Sequence, residues 1–362
     1  MALAVSGRDV RAQGRRIDAA PLGTLEVGAP TFFISEHESL GLDSAPTDIR
    51  MLPDGQAVAF GPRQLSIGDG ARWHTFRHAD NDPLTPGYSF AVDRDGTIYT
   101  SIPGGFARID FGGDGQWRLK PVAFWPAENT AIEQPRAHDL TEVGGEWYWR
   151  GGGLTINWRP GSPARVLARG QTIEQVFRFH DDVYLSDSAK GGLLRLVDGK
   201  IERAALSGTA VPAETITCAS LFGPDSLLVG TYDRGLGIFD GKTLKPLPTQ
   251  GISRSDARVN DLCRTADGGY AAAIDDVGIV VIDRNGRTLQ VLDRAFDHRL
   301  MHVRHLQPMP GGVILGLLSD GILRVELPSQ VSHFETFIGG GVPNVQPDRL
   351  GGKLWLLGGG SL

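Results

Sequence analysis

Cysteine is scarce in this chain, with Cys218 and Cys263 the only two in 362 residues. Two cysteines exclude a disulfide framework and a zinc site built from four thiolates. Long apolar runs are also missing, and a transmembrane helix needs about 20 such residues in a row. The opening residues, MALAVSGRDVRAQG, lack the roughly 7–15-residue apolar stretch of a complete signal peptide. They fit the tail of one, or a true cytosolic N-terminus. Cationic excess is absent: the net charge is −6 and the pI about 5.9, so no overall basic field would hold a nucleic-acid backbone. Capped segments of 3.6-residue periodicity are not visible, which excludes an α-solenoid. No GxSxG elbow, P-loop or HExxH is present, so no common catalytic signature is available.

Glycine is what the chain has in excess, 49 residues of 362, near twice the usual ~7 %. There is no G-X-Y period, so collagen is excluded. With 22 prolines and many polar clusters, the glycines read as the tight turns of an all-β chain. The turns recur. An apolar strand, an Asp-Gly type turn, a second strand, a polar turn and a third strand often ending in Asp make one plan. The clearest copies are Ser89–Asp110 and Asp261–Asp283, joined by Ser220–Asp240 and Leu306–Glu326. Weaker copies run over Asp48–Phe60, His138–Ile156 and Gln175–Leu196. The first turn falls at Asp54, Asp95, Gly144, Asp181, Pro224, Asp267, Gly311 and Gly351, at intervals of forty-odd residues. That period suits four short strands plus turns, the size of one propeller blade. The fold expected is all-β: a β-propeller of four-stranded antiparallel blades, with seven complete repeats and a partial eighth in Val345–Leu362. Strands within a blade are lettered a to d from the channel outwards.

Residues 1–30 lie outside the repeat and read as a tail, either disordered or a signal remnant. The propeller is expected over residues 31–362. Thr31–Ser35 looks like an orphan outer strand, and its expected partner is the incomplete blade after Val345. Either the ring closes with strands from both ends, or the chain is a piece of a larger protein.

Leu227–Pro248 carries Gly230-Thr231, Gly235-Leu236 and Phe239-Asp240, and the next copy supplies Val259 and Leu262. Leu354-Trp355 repeats a Leu-Trp step. These residues resemble the two-component-regulator propeller repeat. Elsewhere Gly-Thr gives way to Thr100-Ser101, Arg150-Gly151, Ile274-Asp275 and Leu318-Ser319. The resemblance implies the extracytoplasmic, ligand-binding sensor part of a bacterial receptor, whose remainder would be a membrane helix and a histidine kinase. It implies a periplasmic location, and a homodimer formed through the parent receptor.

Propeller topology sorts the polar residues by face. The b–c turns and the starts of the inner strands share a top face, while the Asp-Gly turns lie below. The ligand-binding residues expected on the top face are Tyr88, Trp125, His138, Arg150, Tyr232, Arg234, Asp275 and Arg304. Arginine offers a planar fork for carboxylate or sulfate, and Tyr or Trp a stacking surface for a sugar ring. The bland reading of each is a solvated turn. A small molecule or carbohydrate is the partner expected, with no nucleic acid, no membrane insertion, no cofactor, no metal and no catalytic residue. His298, His302 and His305 recur at i, i+4 and i+7, but their segment is expected to run into an inner strand, where such spacing does not converge. Cys218 and Cys263 read as small buried hydrophobes. Trp147, Trp149 and Trp355 are expected to pack between blades. The alternatives are a lactonase- or lyase-type enzyme, recruiting His138, Glu174, Asn260 and Asp261 in its channel, or a protein-interaction scaffold.

Overall fold

Alternation along each strand decides which neighbour it packs against, because successive side chains point to opposite faces. In strand Ala57–Phe60, Ala57 and Ala59 face one cluster while Val58 and Phe60 face another. In Glu146–Gly151, Trp147 and Trp149 pack one way and Tyr148 the other. In Tyr270–Ile274, Ala271 and Ala273 oppose Tyr270, Ala272 and Ile274. Both faces of these strands are apolar, so each sheet needs a partner on either side. A ring of sheets supplies one.

The computed structural model describes residues 2–4, 29–126, 139–206, 214–249, 257–294, 296–329, 332–333, 345–350 and 353–358. Blade 1 comprises strands Asp48–Met51, Ala57–Phe60, Gln64–Gly68 and Trp73–His78, and blade 2 Phe90–Val92, Ile98–Ile102, Gly105–Phe111 and Gln116–Phe124. Blades 3 to 6 begin on the inner strands Asp139–Val143, Ile173–Phe179, Ile216–Gly223 and Val259–Arg264, each a four-stranded antiparallel meander. Blade 7 comprises His305–Pro308, Val313–Leu317, Gly321–Glu326 and, from the start of the chain, Phe32–Glu36. The inner strands neighbour one another in cyclic order, with blade 7 lying against blade 1. Seven apolar clusters occupy the seven interfaces. Helix is limited to two 3₁₀ turns among the described residues.

Closure differs from expectation in its partner. Phe32–Glu36 is the closing outer strand, but it runs antiparallel to Gly321–Glu326 in the seventh blade, with Phe32 opposite Val325 and Glu36 opposite Gly321. The eighth repeat does make strands, Val345–Leu350 and Lys353–Gly358, and these pair with Ala2–Ala4 in a separate three-stranded sheet. The physical reason is that blade 7 has only three strands of its own. Its third strand presents an open edge at the same place where the ring must close.

Polar side chains staple the inner strands together. Asp48 of blade 1 accepts the Phe90 N–H of blade 2 at 3.0 Å, and Asp261 of blade 6 accepts the Leu306 N–H of blade 7 at 2.9 Å. Ser89 accepts from Leu140 N–H at 2.9 Å, Ser186 from Ile216 N–H at 2.8 Å, and Asn260 donates to the Val303 carbonyl at 3.0 Å. These bonds satisfy backbone groups that face a sheet neighbour without a ladder partner. At the outer rim, Gln116–Trp117 pairs in parallel with Arg77–His78, so blades 1 and 2 form one continuous sheet.

Gly230-Thr231 has a local cause in this packing. A Cβ on Gly230 would lie 2.5 Å from Cys218 Sγ and 2.6 Å from Val259 Cγ1, so blade 6 approaches only because none is there. The Thr231 hydroxyl accepts the Arg234 N–H at 3.0 Å and donates to the Gly235 carbonyl at 2.9 Å, closing the b–c turn.

Candidate ligand-binding channel

The inner strands enclose a cavity of about 1230 Å³ along the ring axis. Its upper wall is formed where the inner strands begin, by Thr47, Tyr88, Glu174, Arg258, Asn260 and Arg304. Its lower wall contains Arg50, Glu142, Arg264 and Pro308. Both cysteines line it as well; they are free and buried, and burial pushes both thiols well above their ordinary range.

Four of the eight expected site residues meet here: Tyr88, Arg150, Asp275 and Arg304. Tyr88 is 46 % exposed, an open aromatic face at the mouth. Arg304 donates to the carbonyls of Pro46 at 3.3 Å and Leu318 at 3.0 Å. The next residue, Thr47, donates to the Tyr88 carbonyl at 3.3 Å, so Arg304 and Tyr88 are held on either side of Pro46-Thr47. No described carboxylate lies within ion-pair distance of Arg304. Asp275 accepts from Asn260 Nδ2 at 2.7 Å.

The other four fare differently. Tyr232 is 43 % exposed but stands outside the cavity wall, with the Arg258 guanidinium 4.9 Å above its ring. Arg234 is also outside the wall, ion-paired with Glu214. His138 lies outside the described residues. Trp125 corrects the expectation of a loop tryptophan free to stack on a ligand. It is 3 % exposed, with its ring 4.5 Å from Trp149 and 6.2 Å from Phe106. The loop leaves strand d of blade 2 beside the gap between blades 2 and 3, and the indole fills it.

Arg150 requires a second correction. It belongs to strand b, not to an exposed turn, and is 4 % exposed. Its guanidinium donates to the Glu174 carbonyl and, at 3.3 Å, to Thr141 Oγ1. Trp147 and Trp149 are buried between blades 2 and 3, as expected; nothing is described of the Trp355 side chain.

Arg258, Asp48 and Arg50 escaped the sequence reading, whereas Glu174, Asp261 and His305 were named in it only for other roles. Arg258 precedes blade 6 and reaches Glu174 of blade 4 at 2.9 Å, passing over blade 5 at the mouth. Asp48 carries Arg50 at 3.1 Å. His305 stands between blades 6 and 1, with Nδ1 3.6 Å from Asp261 Oδ2 and about a third of its side chain open to the channel. Burial lowers the imidazole pKa, as does Arg50, but contact with Asp261 and the charge of Asp48 outweigh them and hold it above the ordinary histidine value. The histidine segment runs into an inner strand at His305, as expected; before it, His298–His302 is a 3₁₀ turn, from which His302 reaches the cavity while His298 is exposed. The signal for the missed Asp48 was positional. Asp48 and Asp261 occupy matching places at the start of strand a, and a channel position shared by two repeats marks the wall.

No family model matches the chain, and no curated protein matches it in sequence. Solved structures do. The extracellular domain of the hybrid two-component system BT3049 from B. thetaiotaomicron superimposes with a TM-score of 0.62 at 16 % identity, over 90 % of this chain and 46 % of that one. The corresponding domain of BT4673 gives 0.59 at 14 %, over 82 % of this chain and 39 % of that one. A catalytically inactive variant of virginiamycin B lyase from Staphylococcus aureus, solved with quinupristin, gives 0.61 at 11 %, over 82 % of this chain and 99 % of that one. At these identities the likenesses establish the propeller fold.

Proposed function

We propose that this chain is the non-catalytic propeller of an extracytoplasmic sensor, and that it takes a small acidic saccharide in the mouth of its channel. Arg304 carries the reading. Its described hydrogen bonds all go to carbonyl oxygens, and no described carboxylate pairs with it directly; Asp48 acts on its charge only from a distance, and burial works against the charged form. A guanidinium so placed suits an incoming carboxylate, to which its planar fork can bind at two points. Tyr88, fixed beside it through Pro46-Thr47, supplies a face for a sugar ring. The cavity volume exceeds that of a minimal pocket of roughly 300 Å³ and admits a disaccharide or larger. The likeness to extracellular domains of two-component systems supports a sensor setting outside the cytoplasmic membrane. The full receptor, with its output module, belongs to the same proposal.

The test is isothermal titration with digalacturonate and its neutral counterpart galactobiose. Digalacturonate is expected to bind, and the neutral sugar to bind about tenfold or more weakly, the equivalent of a charge-assisted contact of about 1.5–3 kcal/mol. Arg304→Gln keeps a polar side chain but removes the charge, and should lower digalacturonate affinity by a similar factor while the chain still folds. Equal affinity in that variant contradicts the reading. A cleaved or unsaturated product accumulating in the cell would instead favour the channel enzyme.

A further inference from the structure

Below Arg304, two carboxylates of the channel, Asp261 and Asp48, are already occupied. Asp261 Oδ1 accepts the Leu262 N–H at 2.8 Å and Oδ2 the Leu306 N–H at 2.9 Å. Asp48 Oδ1 accepts the Ile49 N–H at 2.8 Å, and Oδ2 takes the Phe90 N–H at 3.0 Å and Arg50 at 3.1 Å. Their lone pairs bind the ring of blades together, while their charge falls on His305, the residue that follows Arg304. Asp261 is the described polar partner of that imidazole, on its Nδ1 side, which leaves Nε2 as the donor for anything entering the channel. Two nitrogen donors therefore stand in adjacent positions of one cavity, Arg304 at the mouth and His305 inside it.

We propose that His305 is the inner ligand anchor of this channel: as an imidazolium it binds a second acidic group of the ligand, and the chain takes up a proton when that ligand binds. The proposal rests on the mouth reading above and narrows it to ligands with two acidic groups. The charged and titratable groups around His305 fit that role. Blade 6 presents Asp261 and the Cys263 thiol, which burial keeps neutral; blade 1 presents Asp48 and Arg50; His302 and Arg304 come from its own segment. An anionic group at Nε2 adds to the field of Asp48 and Asp261 in favouring the charged ring. Binding must then strengthen as pH falls through the histidine's raised value and weaken above it.

The experiment titrates the whole chain with digalacturonate and with galacturonate, at pH 6 and pH 8, each in two buffers of different ionisation enthalpy. Expected are net proton uptake with digalacturonate, about tenfold or more weaker binding at pH 8, and weaker binding of galacturonate at pH 6 by a similar factor. His305→Gln keeps a donor but cannot titrate. It should bind with the weak, high-pH affinity at both pH values and without proton uptake. Binding that Arg304→Gln abolishes, but that neither pH nor His305→Gln alters, overturns the inner anchor and leaves the mouth reading standing. Equal affinity for the one- and two-carboxylate sugars also overturns it. No binding of either sugar by the wild-type chain removes the mouth reading, and the inner anchor with it. The proton uptake of the wild type decides the matter should His305→Gln fail to fold.

Discussion

Trp125 and Arg150 lie in segments that read as polar surface, yet both side chains are almost fully buried. Their consequences differ. Removing the Trp125 ring would open a void between Phe106 and Trp149, so Trp125→Ala should cost about 3–5 kcal/mol in denaturant unfolding. Arg150→Ala would strip the Glu174 carbonyl and Thr141 Oγ1 of a donor in a buried wall, for about 1–3 kcal/mol. If Arg150→Ala unfolds like wild type, the side chain is solvated and the turn placement was right after all. Arg304→Gln should cost less, about 1 kcal/mol, because its side chain faces the open channel, where water can replace the bonds to Pro46 and Leu318. Residue burial was the least legible quantity in the sequence. Trp-Tyr-Trp-Arg at 147–150 announces a strand, but whether its last side chain faces water or the neighbouring blade depends on how closely blade 4 approaches. Tyr88, Asp275 and Arg304 were legible because they sit at the start of an inner strand or in the b–c turn that follows it, places which the topology of any blade aims at the channel mouth.

Phe32–Glu36 shows what a strand pattern conveys and what it omits. The stretch read as an outer strand from its place before the first repeat, and an outer strand it is. Its partner depended on which blade came up one strand short, and counting repeats suggested the eighth. Val345–Leu362 has the right local pattern for strands a and b, but pattern carries no information about whether the ring has room. The Gly-Thr motif was legible for a physical reason: Gly230 lets blade 6 approach, and Thr231 ties the turn. Where it is replaced, the same work passes to other groups, as when Asp187 accepts the Ala189 N–H at 3.0 Å. The closing strand can be tested directly. Bonds from His37 N–H to the Asp320 carbonyl and from Glu326 N–H to the Thr31 carbonyl, both 3.1 Å, flank it, and alternation between them aims the Ser35 N–H at Ile322. Ser35→Pro removes that donor, and should lower stability by about 1–3 kcal/mol and expose the chain near residue 36 to protease. Wild-type protection in this variant would mean that the ring is closed elsewhere.

Seven blades, each apolar on both faces, make seven interfaces, and the ring leaves no blade with an uncovered side. The channel is what remains at the centre, where the inner strands cannot meet. Short polar residues there hold neighbouring blades in register, and this accounts for most of its carboxylates. What the staples do not use are two nitrogen donors, Arg304 at the mouth and Nε2 of His305 beneath it. Those two donors are the basis for an acidic ligand, and for placing it on the top face. A crystal structure of the protein with digalacturonate tests this most directly. The sugar should lie in the channel mouth, with a carboxylate on Arg304 and a ring against Tyr88. Density on the Asp-Gly face or the outer rim, with the channel empty, would contradict it.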